Sequence, residues 1–333
     1  MPRVEVVAAG TIVVDIIAVD LPKIAEPGEV VEVAKPIGLY LGGHATNTAI
    51  DVVKLGGTAV AVGALGRDIF AEFVRREVAR HGVELYAQVV DDVGTARNAI
   101  LVVRGEDRRF HIYKGANKRL SSAHVESAIE RYSPTHLYVS LGVSESVDRG
   151  LGRTLGVAER YGTRVLLDIA YTVPTALSSF IENLGRGYAA HINTHEARAL
   201  VATGNPVEAV KALRGRAPPL LVVTSGGEGV VALLRRRFVI RQPPLRVEAV
   251  DPTGAGDAFC AGLMHGSSLR GIDFEAADPH EVAQVLLYAQ AAGAAVVSAP
   301  GATTGVSKER VEALIEEQGG AVLESTSIED LGP

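Results

Sequence analysis

The sequence predicts an α/β fold, a mostly parallel sheet flanked by helices, and two observations carry that expectation. Short β-branched runs alternate with longer helical stretches along most of the chain, the order that builds a parallel sheet with crossover helices. The strand-like runs are also nearly continuous in apolar character, as strands covered on both faces must be. With 333 residues, 47% of them hydrophobic, the chain can bury one large core and still carry a small appendage.

The elements follow in order. Residues 4–8 read as a first strand and 45–55 as a first helix, stopped by Gly56. A strand at 58–62 precedes a helix at 70–81, which ends before Gly82. Ser122 opens a helix to 131, and a strand at 136–139 leads to a helix at 149–161 before Gly162. Strands at 164–168, 189–192 and 220–224 enclose helices at 195–202 and 207–214, the first ended near Gly204 and the second opened by Pro206. Helices at 258–267, 282–297 and 308–318 complete the pattern, with Ser307 starting the last. Serine and proline at helix starts and glycine just past helix ends are the expected punctuation.

Two regions break the alternation. Residues 16–39 hold β-like runs punctuated by Pro22, Pro27-Gly28 and Pro36. Residues 85–114 hold three strand-like runs, 85–90, 97–103 and 109–113, with no helix between them and a hairpin-like turn from Arg104 to Asp107. The expectation is a single domain spanning 1–333, with a small β-sheet lid formed by segments 16–39 and 85–114.

Composition excludes several function classes. A net charge of -6 with scattered basic residues gives no electrostatic reason to expect a nucleic-acid partner. Arg235-Arg236-Arg237 reads as a solvated turn between two β-like runs. No apolar stretch reaches the roughly 18–20 residues of a membrane span, and the N-terminal residues lack a signal-peptide pattern. Cys260 is the single cysteine, so no intrachain disulfide can form. The chain reads as cytoplasmic.

Chemistry concentrates at Val250-Asp251-Pro252-Thr253-Gly254-Ala255-Gly256-Asp257-Ala258-Phe259. A Gly-Ala-Gly turn leads into a helix beginning near Asp257. The first amides of a helix lack intrahelical acceptors and carry partial positive charge, and small residues let a phosphate approach them. Asp257 would then sit beside a bound phosphoryl group, able to take a proton from an attacking hydroxyl. Three further strings stand out. Gly42-Gly43-His44-Ala45-Thr46-Asn47 precedes a helix, Asn193-Thr194-His195-Glu196 opens one, and Thr224-Ser225-Gly226-Gly227-Glu228-Gly229 follows an apolar strand. Taken singly, these also suit a helix cap with a buried Asn, a capping arrangement and a β-turn. No G-x-x-x-x-G-K-[ST] string occurs, so a Walker-type nucleotide site is not expected.

Together the strings resemble the ribokinase-like (PfkB-type) carbohydrate kinase family, whose C-terminal signature is D-T-x-G-A-G-D-x-F; here Pro252-Thr253 departs from it. The resemblance spans Asp15 to Gly301 with the motifs in family order. It implies a ribokinase-like doubly wound sheet with a β-sheet lid over the substrate, and an ATP-dependent enzyme that phosphorylates a hydroxyl of a sugar or sugar derivative. It implies Asp257 as catalytic base and Gly254, Ala255 and Gly256 as the anion hole. Asp15, taken to end the first strand, would join Gly42, Gly43 and Asn47 in binding substrate. Thr224, Gly226 and Gly229 would lie along ATP, with Asn193 and Glu196 near the phosphates and Glu196 reaching Mg2+ through water. Asp251, Thr253 and the stretch near Gly301 match the region where relatives bind a monovalent cation such as K+. A homodimer formed lid to lid is common among relatives.

Departures bear on the substrate. Val13, His44 and Gly142 stand where ribokinases proper carry Asn, Lys and a sugar-binding Glu, so plain ribose is not expected. The lid region carries Arg97, Arg104, Arg108, Arg109, Lys114, Lys118 and Arg119. Arg97 and Lys114, at the ends of lid strands, are the candidates for binding a carboxylated or phosphorylated sugar. A nucleoside kinase on the same scaffold is the alternative, with Tyr40, Phe110 and Tyr113 as a stacking surface. A non-catalytic sugar sensor is the reading from another class; it would bind ligand without turnover.

Overall fold

Capping chemistry written in the sequence sets many of the helix boundaries. The computed structural model describes residues 3–106 and 108–332, so Asp107, the last residue of the expected 104–107 turn, lies outside the described residues. The strands are β1 (Val6–Ala9), β2 (Val13–Leu21), β3 (Gly38–Gly42), β4 (Ala59–Leu65), β5 (Glu84–Val89), β6 (Arg97–Val103), β7 (Arg109–Tyr113), β8 (His136–Leu141), β9 (Arg164–Ile169), β10 (Ala189–Asn193), β11 (Leu220–Thr224), β12 (Val230–Leu234), β13 (Phe238–Gln242) and β14 (Ser327–Asp330). The helices are α1 (His44–Lys54), α2 (Ile69–Arg80), α3 (Ser122–Tyr132), α4 (Glu145–Arg160), α5 (Pro174–Asn183), α6 (Thr194–Val201), α7 (Pro206–Leu213), α8 (Ala255–Arg270), α9 (Pro279–Val297) and α10 (Lys308–Glu324). Side-chain oxygens of Asp68, Ser121, Ser144, Asn205 and Ser307 accept from amides in the first turns of α2, α3, α4, α7 and α10, and α6 and α9 begin with full capping boxes.

A 10-stranded sheet runs in the order β14-β13-β12-β11-β10-β9-β8-β1-β4-β5. Neighbours from β5 across to β11 are parallel, and β12, β13 and β14 finish the sheet antiparallel. One core layer packs α1, α2, α8, α9 and α10 on one face. The other packs α3 to α7 on the opposite face. Both faces of the parallel strands are therefore dry, which is why β4 and β8 are buried along their whole length. A second sheet of four strands, β3-β2-β6-β7, stands beside the main one and forms the lid.

The lid boundaries need correction. Residues 85–90 belong to the main sheet, where β5 pairs in parallel with β4, Leu85 opposite Ala61. Between residues 16 and 39 only the ends are strand, and residues 22–37 link β2 to β3 without one. Asp15 does not end the first strand. β1 stops at Ala9, and Asp15 lies in β2, already in the lid, opposite Tyr40 of β3 and Asn98 of β6. Helix α5 and the short β14 have no counterpart in the expected elements. Among the described residues no helix is long and apolar enough to cross a membrane.

Leu137 is fully buried in β8 at the middle of the sheet. Leu137→Ala is expected to destabilise the fold by about 2–5 kcal/mol, the usual range for a Leu truncation in a core. A lower urea midpoint at unchanged m-value would register the loss.

Candidate active site

The strand order reverses between β1 and β8, with β4 and β5 to one side and β9 to β14 to the other. In doubly wound sheets the crevice at the strand C-termini beside such a reversal is the binding cleft. Gly254 initiates α8 at this crevice in the left-handed region, φ 83°. A Cβ there would collide with the carbonyl of Ala302, so the loop closes against the α9–α10 connection only because the residue is glycine. Asp257 follows in the first turn, and the amides of Gly256 and Asp257 lack intrahelical acceptors by position. The Asp257 side chain is 7% exposed. Burial pushes its carboxyl above the usual range, while His44 in its positive form and a hydrogen bond from Asn47 pull the other way.

Asn47 comes from the opposite end of the sequence. Its Nδ2 donates to Asp257 Oδ2 at 2.8 Å across 210 residues. Gly43 caps α1 at φ 104°, with its Cα against the Thr11 carbonyl, so that Thr11 meets both the amide and the ring of His44. Gly42 lies against the Asp15 carboxylate. The fold thus brings together Gly42, Gly43, Asn47 and Asp257, with Asp15 at the lid side. Asn98 Nδ2 donates to Asp15 Oδ1 at 2.8 Å, and burial raises the Asp15 carboxyl against that bond.

The lid cations divide. Lys114 Nζ stands 3.7 Å from the ring centre of Tyr171, whose phenol is raised by burial and by the charge of Asp15. Asp15 pairs with Asn98 and Asn98 with Ile112, so Lys114, two residues past Ile112, falls on the Asp15 side by strand alternation, and burial lowers its pKa. Arg97 does not. It sits one residue from Asn98, so strand alternation turns it to the other face, where it approaches Asp68 at 3.8 Å and lies over Phe70 and Tyr113. Arg104, Arg109 and Arg119 pair with Asp20, Glu106 and Asp92.

On the other side of Asp257 a cavity of about 440 Å³ runs from Thr224, Gly226 and Gly229 to Ala255 and Gly256, with Leu245 among its apolar walls. Its rim is the turn Gly226–Glu228, closed by Ser225 N donating to the Gly229 carbonyl at 2.9 Å. Beneath it lies a buried polar chain. Tyr138 donates to Asp168, His191 Nδ1 is 2.9 Å from Asp168 Oδ1, and His191 Nε2 is 3.0 Å from Thr224 Oγ1. Burial alone would lower the His191 pKa; the Asp168 carboxylate raises it. Asn193 and Glu196 close the capping box of α6, and both Glu196 oxygens accept from Asn193. Burial, then the Asp168 charge, lifts Glu196 to about 7.

Asp251 and Thr253 flank the same loop. Asp251 Oδ1 accepts from the amide and hydroxyl of Thr253, at 3.0 and 2.6 Å, and Oδ2 from the Gly301 amide at 3.1 Å. Arg108 of the lid donates to both Asp251 and Thr253.

Comparison with known proteins fits this arrangement. A family model described as pfkB family carbohydrate kinase matches residues 4–309. The chain belongs to the PfkB family of carbohydrate kinases. Among its relatives is a deoxyribokinase from Salmonella typhi, 28% identical over 78% of this chain and 85% of the relative. A fructokinase from Klebsiella pneumoniae is 30% identical, covering 79% and 87%. A 5-dehydro-2-deoxygluconokinase from Shouchella clausii is 26% identical, covering 94% and 96%. In fold, the chain is similar to a ribokinase II-type protein from Escherichia coli in complex with ATP and Mg2+, with TM-score 0.77 and 22% identity over 94% of this chain and 99% of that one. The PfkB chain is an ATP-dependent sugar kinase.

Several residues of the kinase crevice escaped sequence reasoning. Asn98, Asp168 and Tyr171 belong to no motif; the strand register that aligns them was the missing information. Asp51 was hidden in the first helix. It is fully buried, and neither carboxylate oxygen has a partner among the described residues. Burial, then the Asp257 charge, raises its pKa well above the usual range. A carboxyl raised on folding contributes stability that is present below about pH 4, its unfolded range, and lost as pH rises through the folded value. Asp51→Asn, neutral throughout, is expected to melt above the parent at pH 8 and to lose that advantage towards pH 4. Thermal melts at the two pH values read the difference.

Proposed function

We propose that this kinase transfers the γ-phosphoryl group of Mg2+-bound ATP to a hydroxyl of a sugar or sugar acid, with Asp257 as general base. The observation that carries the reading is that Ala255 and Gly256, immediately before Asp257 in the first turn of α8, line one end of the cavity that reaches Thr224 and Gly229. ATP laid along that cavity would bring its terminal phosphate to the amides of Gly256 and Asp257. Phosphoryl transfer asks little covalent work of the protein, so positioning and charge carry the rate. Asp257 takes the hydroxyl proton while the amides meet charge on the transferring group. Asn47 occupies one carboxylate oxygen and leaves the other for the acceptor.

Glu196 is the residue that would hold Mg2+, through water. Its carboxyl, lifted to about 7, is one that a divalent cation would drive to the ionised form. Mg2+ there would neutralise phosphate charge.

Asp15 with Asn98 offers a hydroxyl-binding pair on the lid side, and Lys114 over Tyr171 offers a cation. That combination, with a 5-dehydro-2-deoxygluconokinase among relatives matched over nearly the whole chain, favours a sugar acid over a neutral sugar. A second copy of this chain laid lid to lid would cover the outer edges of β3 and β7 and the half-exposed Leu39, Phe110 and Ile112. The buried, single Cys260 suits a reducing cytoplasm.

ADP release with Mg2+–ATP against neutral sugars, sugar acids, sugar phosphates and nucleosides tests the proposal. Asp257→Asn is expected to fold and to lose roughly 10²–10⁴ in rate, the span for a general base; near-normal turnover would rule out that role. A response to nucleosides alone would transfer the reading to a nucleoside kinase. Lys114→Ala is expected to raise KM for sugar acids by roughly 10–100-fold, the equivalent of one charge-assisted hydrogen bond, and to leave neutral sugars nearly unchanged.

A further inference from the structure

Arg108 stands in the hairpin between β6 and β7, at the end of the lid farthest from its anchoring residues Val13 and Gly42. Its guanidinium reaches the loop that leads into α8. Nη1 is 2.7 Å from Asp251 Oδ1 and also donates to Thr253 Oγ1, across 143 and 145 residues of sequence. The guanidinium carbon lies over the Phe110 ring, 5.5 Å from its centre, and both partners of the ion pair are about three-quarters buried, at 26% and 23% exposed. The Asp251 carboxylate therefore meets the guanidinium, the amide and hydroxyl of Thr253 and the amide of Gly301. These donors hold its pKa below the usual range although burial pushes the other way.

A carboxylate engaged on both oxygens and already neutralised by a guanidinium is a poor ligand for K+. Thr253 Oγ1, which donates to Asp251 and accepts from Arg108, has no better claim. The side chains expected to bind a monovalent cation thus do not fit that role while the lid is down.

We propose that Arg108 is the resident cation of the Asp251–Thr253 pair. It supplies from the lid the positive charge that a dissolved ion would otherwise supply. The Asp251 loop continues through Gly254 into Asp257, so the loop that forms the anion hole is fixed when, and because, the lid is closed. Arg108 is a positioning residue: it touches the loop and none of the reacting atoms. A lid arginine tied to this carboxylate couples acceptor capture to the readiness of the phosphate site, and makes turnover independent of K+. The inference rests on the kinase reading only for its rate measurements.

The test compares the parent, Arg108→Ala and Arg108→Lys. Rates with Mg2+–ATP and the best acceptor of the panel are measured in tetramethylammonium buffer with and without KCl. Amide hydrogen exchange is followed in the same buffers without substrate. The parent rate should change less than about twofold with KCl. Arg108→Ala should lose up to roughly 100-fold in kcat without K+, the scale for misplacing a reacting group by about 1 Å, and regain part of it with K+. Arg108→Lys, which keeps the charge but not the forked donor, should fall between. In Arg108→Ala the amides of residues 97–113 and 250–257 should exchange faster together, and KCl should protect 250–257 alone. A parent strongly activated by K+, or exchange at 250–257 unaltered by the substitution, would overturn the proposal. The exchange result stands even if no acceptor in the panel is turned over.

Discussion

The crevice depends on one steric constraint, the lack of room for a side chain at Gly254. Its left-handed backbone lies against the Ala302 carbonyl, and this contact fixes where α8 starts. Everything near the proposed chemistry is measured from that point. The orphan amides, Asp257 one turn in, and the cavity reaching the Thr224–Gly229 turn all follow from it. Asn47 then ties the start of α8 to α1, and the two helices pack side by side in the same core layer.

Around that point the fold gathers more acid than it can easily hold. Asp51, Asp168, Glu196 and Asp257 are all buried; beyond burial, the Asp257 charge pushes Asp51 towards protonation and the Asp168 charge does the same to Asp257. His191 and Tyr138 stabilise Asp168 by direct hydrogen bonds, which is why that carboxyl is lowered despite complete burial. The others are raised. A site crowded with carboxylates of this kind is ready for cationic ligands and for magnesium-bound phosphates, which would relieve the repulsion on binding.

Much of the architecture was legible because local rules sufficed. Capping residues and β-branched runs mark most helices and central strands to within a few residues, and the short strings around Asn47, Thr224 and Asp257 together resemble one family's site. What stayed hidden was non-local. The run at 85–90 looks like its neighbours at 97–103, and only pairing decides that one joins the main sheet and the other the lid. Ile12 to Ile17 is one apolar sweep interrupted by Asp15, so the chain's passage from β1 into the lid left no local sign. Arg97 and Asn98 are adjacent in sequence and opposite in facing, and the register with Asp15 decides which looks inward. Asp168 and His191 meet because β9 and β10 pair with Leu167 beside Ala190, which no spacing rule could supply.

The order of the main sheet has a consequence for how the chain is made. After β8, each new strand is added beside the one before it, in sequence, out to β13. The growing structure thus always offers an open edge to the next segment that emerges during synthesis, and no strand has to be inserted between two already paired. An edge left open is also an invitation to stray chains. The last strand, β14, is short and carries Glu329 and Asp330, each paired with arginines of β13 or the turn before it. It seals that edge only once residues 327–330 have emerged, so a chain cut before them would keep an adhesive border at β13.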